Sequence, residues 1–67
     1  MAPRRIGTVL KKLRESKDMT QVDLAKKAKT TQSYIAMLER GDKKNPSLAV
    51  VQRLAKALGV PIGELLQ

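Results

Sequence analysis

The apolar residues between Thr20 and Gly41 follow a helical repeat that is interrupted in its middle. They recur at three- and four-residue spacing before and after the polar segment KTT: Leu24, Ala25, Ala28, Ile35 and Leu38. A helix of about ten residues is not stable alone in water. The interruption therefore requires two short helices that are held against each other and against the rest of the chain.

Local signals set the ends of these two helices. Thr20 with Asp23 three residues later matches a capping box, which starts the first of them at Gln21. Thr31 is a suitable N-cap for the second, Gln32 to Arg40. A glycine follows directly, where a left-handed helix stop is easiest.

Three further segments are predicted to be helical, and no segment alternates as a strand does. They are residues 6–18, residues 48–58 between Ser47 and Gly59, and a last short turn over residues 61–66 that begins at a proline. The predicted fold class is all-α, a compact bundle of five short helices. The 67 residues form one predicted domain, with residues 1–5 as a short basic arm.

The charge of the chain favours a polyanionic partner. Fourteen Lys and Arg residues against six Asp and Glu residues give a net charge of +8, which favours nucleic acid first and an anionic membrane second. With no Cys and no His, the chain offers no disulfide and no usual metal cluster. Neither an enzyme activity nor a cofactor or metal is expected, and no apolar run approaches the ~20 residues of a membrane span.

The helix from Gln32 to Arg40 has two unlike sides on a helical wheel. Ile35, Leu38 and Glu39 fall on one side. The opposite side is small, polar or flexible and faces outward: Ser33, Ala36, Met37 and Arg40. Such a narrow ridge, held rigidly by its neighbours, fits the major groove of DNA.

The run TQVDLAKKAKTTQSYIAMLERG, followed by NPSLAVVQRLAKALGV, resembles the helix-turn-helix of the lambdoid phage repressor/Cro family, the xenobiotic-response-element-like regulators. The similarity extends from about Ile6 to Leu66. It implies a lambda-repressor-like fold and a prokaryotic or phage transcriptional regulator, expected to be a repressor. Such a protein binds double-stranded DNA sequence-specifically, in the cytoplasm on the nucleoid, as a homodimer on a palindromic operator.

The resemblance also implies roles for individual residues. Base contacts are expected from Gln32, Ser33 and Met37, and phosphate contacts from Gln21, Tyr34, Arg40, Lys43 and Lys44. Arg4 and Arg5 are possible arm contacts. Each role has a plainer alternative: a solvated helix start for Gln21, partial core packing for Tyr34, spare interface surface for Met37, and a solvated loop for the two lysines.

Arg14 and Glu39 both fall beside the apolar stripes of their own helices, where a charge needs a partner. The family resemblance pairs them, which predicts a partly buried ion pair between the first and third helices.

The chain departs from the family pattern at three positions. Lys29 stands at a tight turn that often holds Gly, and Asp18 stands where Gly is frequent before the second helix. Ser47 replaces an arginine that enters the minor groove in some phage members, which puts that contact in doubt.

Other functions fit less well. A DNA-binding antitoxin that inhibits a toxin partner is the main alternative, although the chain has little beyond the core fold with which to cover a toxin. A membrane-surface peptide is disfavoured because aromatic residues are nearly absent. Lys26, Lys27 and Lys29 are interpreted as a solvated face.

Overall fold

The computed structural model describes residues 6–43 and 45–66. Four α-helices follow one another, with a 3-10 turn at Ile62–Glu64: α1 Ile6–Ser16, α2 Gln21–Ala28, α3 Gln32–Arg40 and α4 Leu48–Leu58. The predicted all-α class is confirmed, and the count of five helices is slightly high because the last element is this 3-10 turn. Arg4, Arg5 and Lys44 lie outside the described residues.

The starts of α2, α3 and α4 are fixed by side chains that accept hydrogen bonds from free N–H groups of the first turn. The Thr20 hydroxyl accepts from the Asp23 backbone at 3.0 Å, and the Asp23 carboxylate accepts from the Thr20 backbone at 2.9 Å, which completes the capping box. The hydroxyls of Thr31 and Ser47 cap α3 and α4 in the same way.

Three helices end at a C-cap residue in the left-handed region: Lys29, Gly41 and Gly59. Gly41 ends α3 at φ +88°, as the sequence predicts. Lys29 ends α2 at φ +59° and ψ +48°, and Asp18 precedes α2 at φ +57°. A left-handed conformation costs most residues with a Cβ about 1–2 kcal/mol, although Asp tolerates it better. Lys29, at a turn where the family often has Gly, therefore carries this strain.

The core is aliphatic throughout. Every helix and the segment after the 3-10 turn contribute at least one fully buried side chain: Leu10, Leu24, Ile35, Leu38, Leu54 and Leu65. Helix α2 packs on α3 and α4, α1 packs on α3, and the 3-10 turn packs on α4. Tyr34, the single aromatic residue, is half-buried at the edge of this core.

Helices α1 and α3 approach most closely at Gly7. A Cβ at this position would overlap the carbonyl oxygen of Leu38 and crowd the backbone of Glu39. Only a residue without a side chain lets α1 lie this near to α3. The sequence pattern did not single out Gly7, because the constraint comes from another helix.

No helix in the described part of the chain is long and apolar enough to span a membrane.

Gly7→Ala is expected to destabilise the domain by about 1–3 kcal/mol, because the added methyl group forces α1 away from the α3 backbone. For a domain of this size each kcal/mol lowers the melting temperature by about 4–8 °C. Gly63→Ala is the matched control, since a Cβ there has no atom within 4 Å. Equal melting temperatures for the two variants would contradict the close approach at Gly7.

Candidate nucleic-acid interface

The turn between α2 and α3 spans only three residues. Lys29 turns the chain, and the backbone N–H of Thr30 donates to the carbonyl oxygen of Ala25 at 2.9 Å. Thr31 is extended, and its hydroxyl accepts from the Tyr34 backbone at 3.1 Å, which starts α3. This short turn prevents α2 and α3 from forming one continuous helix and sets them at an angle to each other.

Helix α3 buries one side and exposes the other. Ile35 and Leu38 are fully buried, whereas Gln32 and Ser33 are exposed. Ala36 and Met37 are half-buried, and Arg40 is exposed. The outer side of α3 therefore carries short or flexible side chains and has the form of a narrow ridge, as the wheel predicts.

Arg14 and Glu39 form a buried ion pair that joins α1 to α3. The guanidinium donates to both carboxylate oxygens, from Nε to Oε2 at 2.7 Å and from Nη2 to Oε1 at 3.0 Å. The remaining nitrogen, Nη1, donates to the carbonyl oxygen of Met19 at 2.8 Å. The side chains are only 10% and 4% exposed. This two-pronged geometry fixes the orientation of both groups.

The carboxylate of Glu39 extends this pair towards the surface. Its Oε1 also accepts a hydrogen bond from Gln21 Nε2 at 3.0 Å, and Gln21 Oε1 in turn accepts from Gln32 Nε2 at 3.0 Å. We call Glu39, Gln21 and Gln32 the amide relay. It connects the interior of the domain to the exposed first residue of α3.

The chemistry of the amide relay allows only one orientation for each amide. An ionised carboxylate is only an acceptor, so the nitrogen of Gln21 must face Glu39 and its oxygen must face Gln32. Gln32 then has to turn its own nitrogen towards Gln21. One N–H and the carbonyl oxygen of Gln32 are left for a ligand.

The pKa values follow from the same contacts. The hydrogen bond to Glu39 is the main reason that the pKa of Arg14 is raised, although burial acts in the opposite direction. Burial raises the pKa of Glu39, but hydrogen bonds from Arg14 and Gln21, together with the charges of Arg14 and Lys11, lower it by more. Glu39 is therefore ionised at neutral pH, as the amide relay requires.

The loop after α3 is held by the end of that helix. The backbone N–H groups of Asp42 and Lys43 both donate to the carbonyl oxygen of Met37, at 2.9 and 3.3 Å. The Lys43 ammonium lies 5.9 Å from the centre of the Tyr34 ring. Because the backbone N–H of Lys43 is engaged, its side chain rather than its main chain is free to bind an anion.

Arg40 already has a partner on the surface. Its Nε donates to Asp42 at 2.9 Å, with both side chains more than half exposed. Exposed pairs of this kind contribute about 0–1 kcal/mol, so a phosphate can replace Asp42 at little cost.

The structure brings several of the predicted site residues to one surface. A cleft of about 530 Å³, which we call the interface cleft, is bordered by residues of α1, α2 and α3: Lys11, Arg14, Glu15, Gln21, Gln32, Ala36, Glu39 and Arg40. Ser33, Met37, Tyr34 and Lys43 lie outside this cleft, on α3 and the loop after it.

Lys11 borders the cleft but is not predicted as a site residue from the sequence. Its signal was its position three residues before Arg14, which puts both on one side of α1.

Comparison with known proteins places this geometry in a family. A family model described as helix-turn-helix matches residues 10–65. The immunity repressor protein of Bacillus phage phi105 is 40% identical over 60 residues, which are 90% of this chain and 41% of the repressor. The chain thus spans less than half the length of that relative.

Two solved structures have the same fold. The N-terminal DNA binding domain of SinR from Bacillus subtilis matches with a TM-score of 0.90 and 31% identity, over 96% of this chain and 93% of that one. The restriction-modification controller protein C.AhdI from Aeromonas hydrophila matches with a TM-score of 0.87 and 36% identity, over 91% of each chain.

Protonation of the Glu39 carboxylate should contribute to the loss of stability at acid pH. Because folding lowers the pKa of this carboxylate, its contribution is fully present above the ordinary Glu pKa of about 4.3 and is lost as the pH falls below that value. Glu39→Gln should lower stability at pH 7 by about 1–3 kcal/mol and should flatten the loss of stability between about pH 5 and pH 2. Melts across this range, with the exposed Glu64→Gln as control, measure both effects. A Glu39→Gln curve parallel to that of the parent would show that the carboxylate is not stabilised by folding.

Proposed function

Because the chain belongs to the helix-turn-helix family, of the phage repressor/Cro type, we propose that it binds a specific site on double-stranded DNA and regulates transcription as a repressor. The observation that carries the proposal is Gln32, which stands exposed at the start of α3 with its amide orientation fixed from the interior. The net charge of +8 supplies attraction to the phosphate backbone.

The dimensions of α3 suit the major groove. An α-helix with its side chains is about 10–12 Å across, and the major groove of B-DNA is about 12 Å wide. Gly7 and the Arg14–Glu39 pair hold α3 firmly against α1. A rigid helix loses little conformational freedom when it enters the groove.

Gln32 is proposed to read an adenine. Its free carbonyl oxygen can accept from adenine N6, and its free N–H can donate to adenine N7. Ser33 is proposed to bond a neighbouring base edge or phosphate. Met37, half-buried on the same outer side, is proposed to contact a thymine methyl group.

Phosphates are proposed to lie on both sides of α3. Gln21 has one amide N–H left after its bond to Glu39, and it begins α2, where free backbone N–H groups attract an anion. Arg40 borders the same cleft as Gln21 and would contact the backbone on that side. The Tyr34 hydroxyl and Lys43 lie outside the cleft and would contact the backbone on the other side. From the sequence alone, Lys44, Arg4 and Arg5 are proposed to add further contacts to the phosphate backbone.

A homodimer on a palindromic operator completes the proposal. Half-sites one helical turn apart are separated by about 34 Å, whereas the longest dimension of this domain is 28 Å. One domain also carries one recognition helix, so two copies are needed to read two half-sites. The proposed setting is the cytoplasm of a prokaryote, where the nucleoid or phage DNA is accessible.

Gln32→Ala and Lys43→Ala should distinguish the proposed base contact from the proposed phosphate contact. After selection of bound sequences from random DNA, Gln32→Ala should lose about 1–3 kcal/mol on the preferred site and relax preference mainly at one base pair per half-site. Lys43→Ala should weaken binding to all sequences about equally. It should also reduce the slope of log affinity against log salt concentration by about 1 per subunit.

The same two variants can refute the assignment. If Gln32→Ala keeps the parental base preference while Lys43→Ala changes it, the roles are reversed. If the parent selects no sequence at all, specific recognition is excluded.

A further inference from the structure

A second cleft lies between the C-terminal parts of α2 and α4. It has a volume of about 420 Å³ and is bordered by four cations and one small apolar residue: Lys27, Lys29, Arg53, Lys56 and Ala57. We call it the basic cleft. It shares no residue with the interface cleft, so the proposed DNA contacts do not account for it.

The charge of the basic cleft is not balanced locally. No acid borders it, and none of its four cations forms a salt bridge with another residue in the described ranges 6–43 and 45–66. Asp23 acts on Lys27 from a distance, but its carboxylate is engaged in the capping box. Four positive charges therefore surround one depression on the surface.

The partial negative charges at the C-termini of α2 and α4 do not explain why four cations gather at this cleft. A helix C-terminus carries about half a negative charge, so two ends offset about one of the four cations. Two carbonyl groups in the last turn of each helix already have donors, since the backbone N–H groups of Lys29 and Gly59 cap them. Arg53 Nε donates to the carbonyl oxygen of Ala28 at 3.0 Å, which fixes its guanidinium at the cleft.

The basic cleft also lies away from the proposed interface. Gln21 begins α2 at the interface cleft, and Lys27 follows six residues later, about 9 Å along the helix. DNA on α3 and an anion in the basic cleft would therefore contact different side chains.

We propose that the basic cleft binds a small anion with two or more phosphate groups. Its volume falls within the range of small-molecule sites, and an arginine with three lysines supplies a planar donor pair and three point charges for phosphate oxygens. The lining has no aromatic ring or amide with which to recognise a base. The phosphate chain is therefore what is recognised, whether free or as part of a nucleotide.

Sodium tripolyphosphate is the first probe, added at constant ionic strength to the isotopically labelled chain. Saturable shifts of the backbone amide signals are expected at residues 27–29 and 53–57, and not along α3. ATP should bind with similar affinity because it carries the same phosphate chain, and orthophosphate should bind about ten-fold more weakly because it meets fewer of the cations.

Two double variants of equal charge then test the location. Lys27→Gln with Lys56→Gln should weaken tripolyphosphate binding about ten-fold, whereas Lys12→Gln with Lys17→Gln, both exposed and outside the cleft, should weaken it less than about two-fold. Circular dichroism melts confirm that each variant is folded.

Several results would overturn the proposal. Equal weakening by both double variants would mean diffuse attraction to a basic protein, and shifts centred on α3 would place the anion at the interface cleft. Orthophosphate binding as tightly as tripolyphosphate would remove the need for a phosphate chain. An unrelated short duplex that shifts the cleft amides at lower concentration than tripolyphosphate would make this a second DNA site instead.

Discussion

The buried ion pair between Arg14 and Glu39 is the interaction on which the rest of the structure depends. It lies where α1 meets α3, with three hydrogen bonds from one guanidinium to Glu39 and to the carbonyl oxygen of Met19. In a 67-residue chain with an aliphatic core and no disulfide, such a contact fixes the position of α3 in a way that non-directional apolar packing cannot. The same carboxylate orients Gln21 and, through it, Gln32. The stability of the fold and the proposed base reading thus depend on the same carboxylate.

The sequence could predict the features that depend on neighbouring residues. The caps at Thr20, Thr31 and Ser47 and the stop at Gly41 are local, so short patterns reveal them. The two sides of α3 also follow from helical spacing alone. The last element was harder, because a turn of three residues does not show whether it is α-helical or 3-10.

Contacts between distant residues could not be read from the chain in this way. Gly7 looks like an ordinary helix residue until α3 is placed against it, and no pattern indicates that Gln21 and Gln32 bond each other across the turn. The Arg14–Glu39 pairing came from the family resemblance rather than from spacing. The sequence pattern indicates only a solvated face at Lys27 and Lys29, because the neighbours Arg53 and Lys56 are more than 20 residues away in the chain. The assigned base and phosphate contacts stay predictions.

The most direct test of this account is a double-mutant cycle on DNA binding. Affinities for the selected site and for its single-base variant at the adenine assigned to Gln32 are measured for the parent, Gln32→Ala, Glu39→Gln and the double variant. If Glu39 fixes the amide of Gln32, Glu39→Gln loses much of the discrimination at that base pair, and the double variant loses little more than Gln32→Ala alone. Full discrimination by Glu39→Gln, or strictly additive losses, would contradict the account.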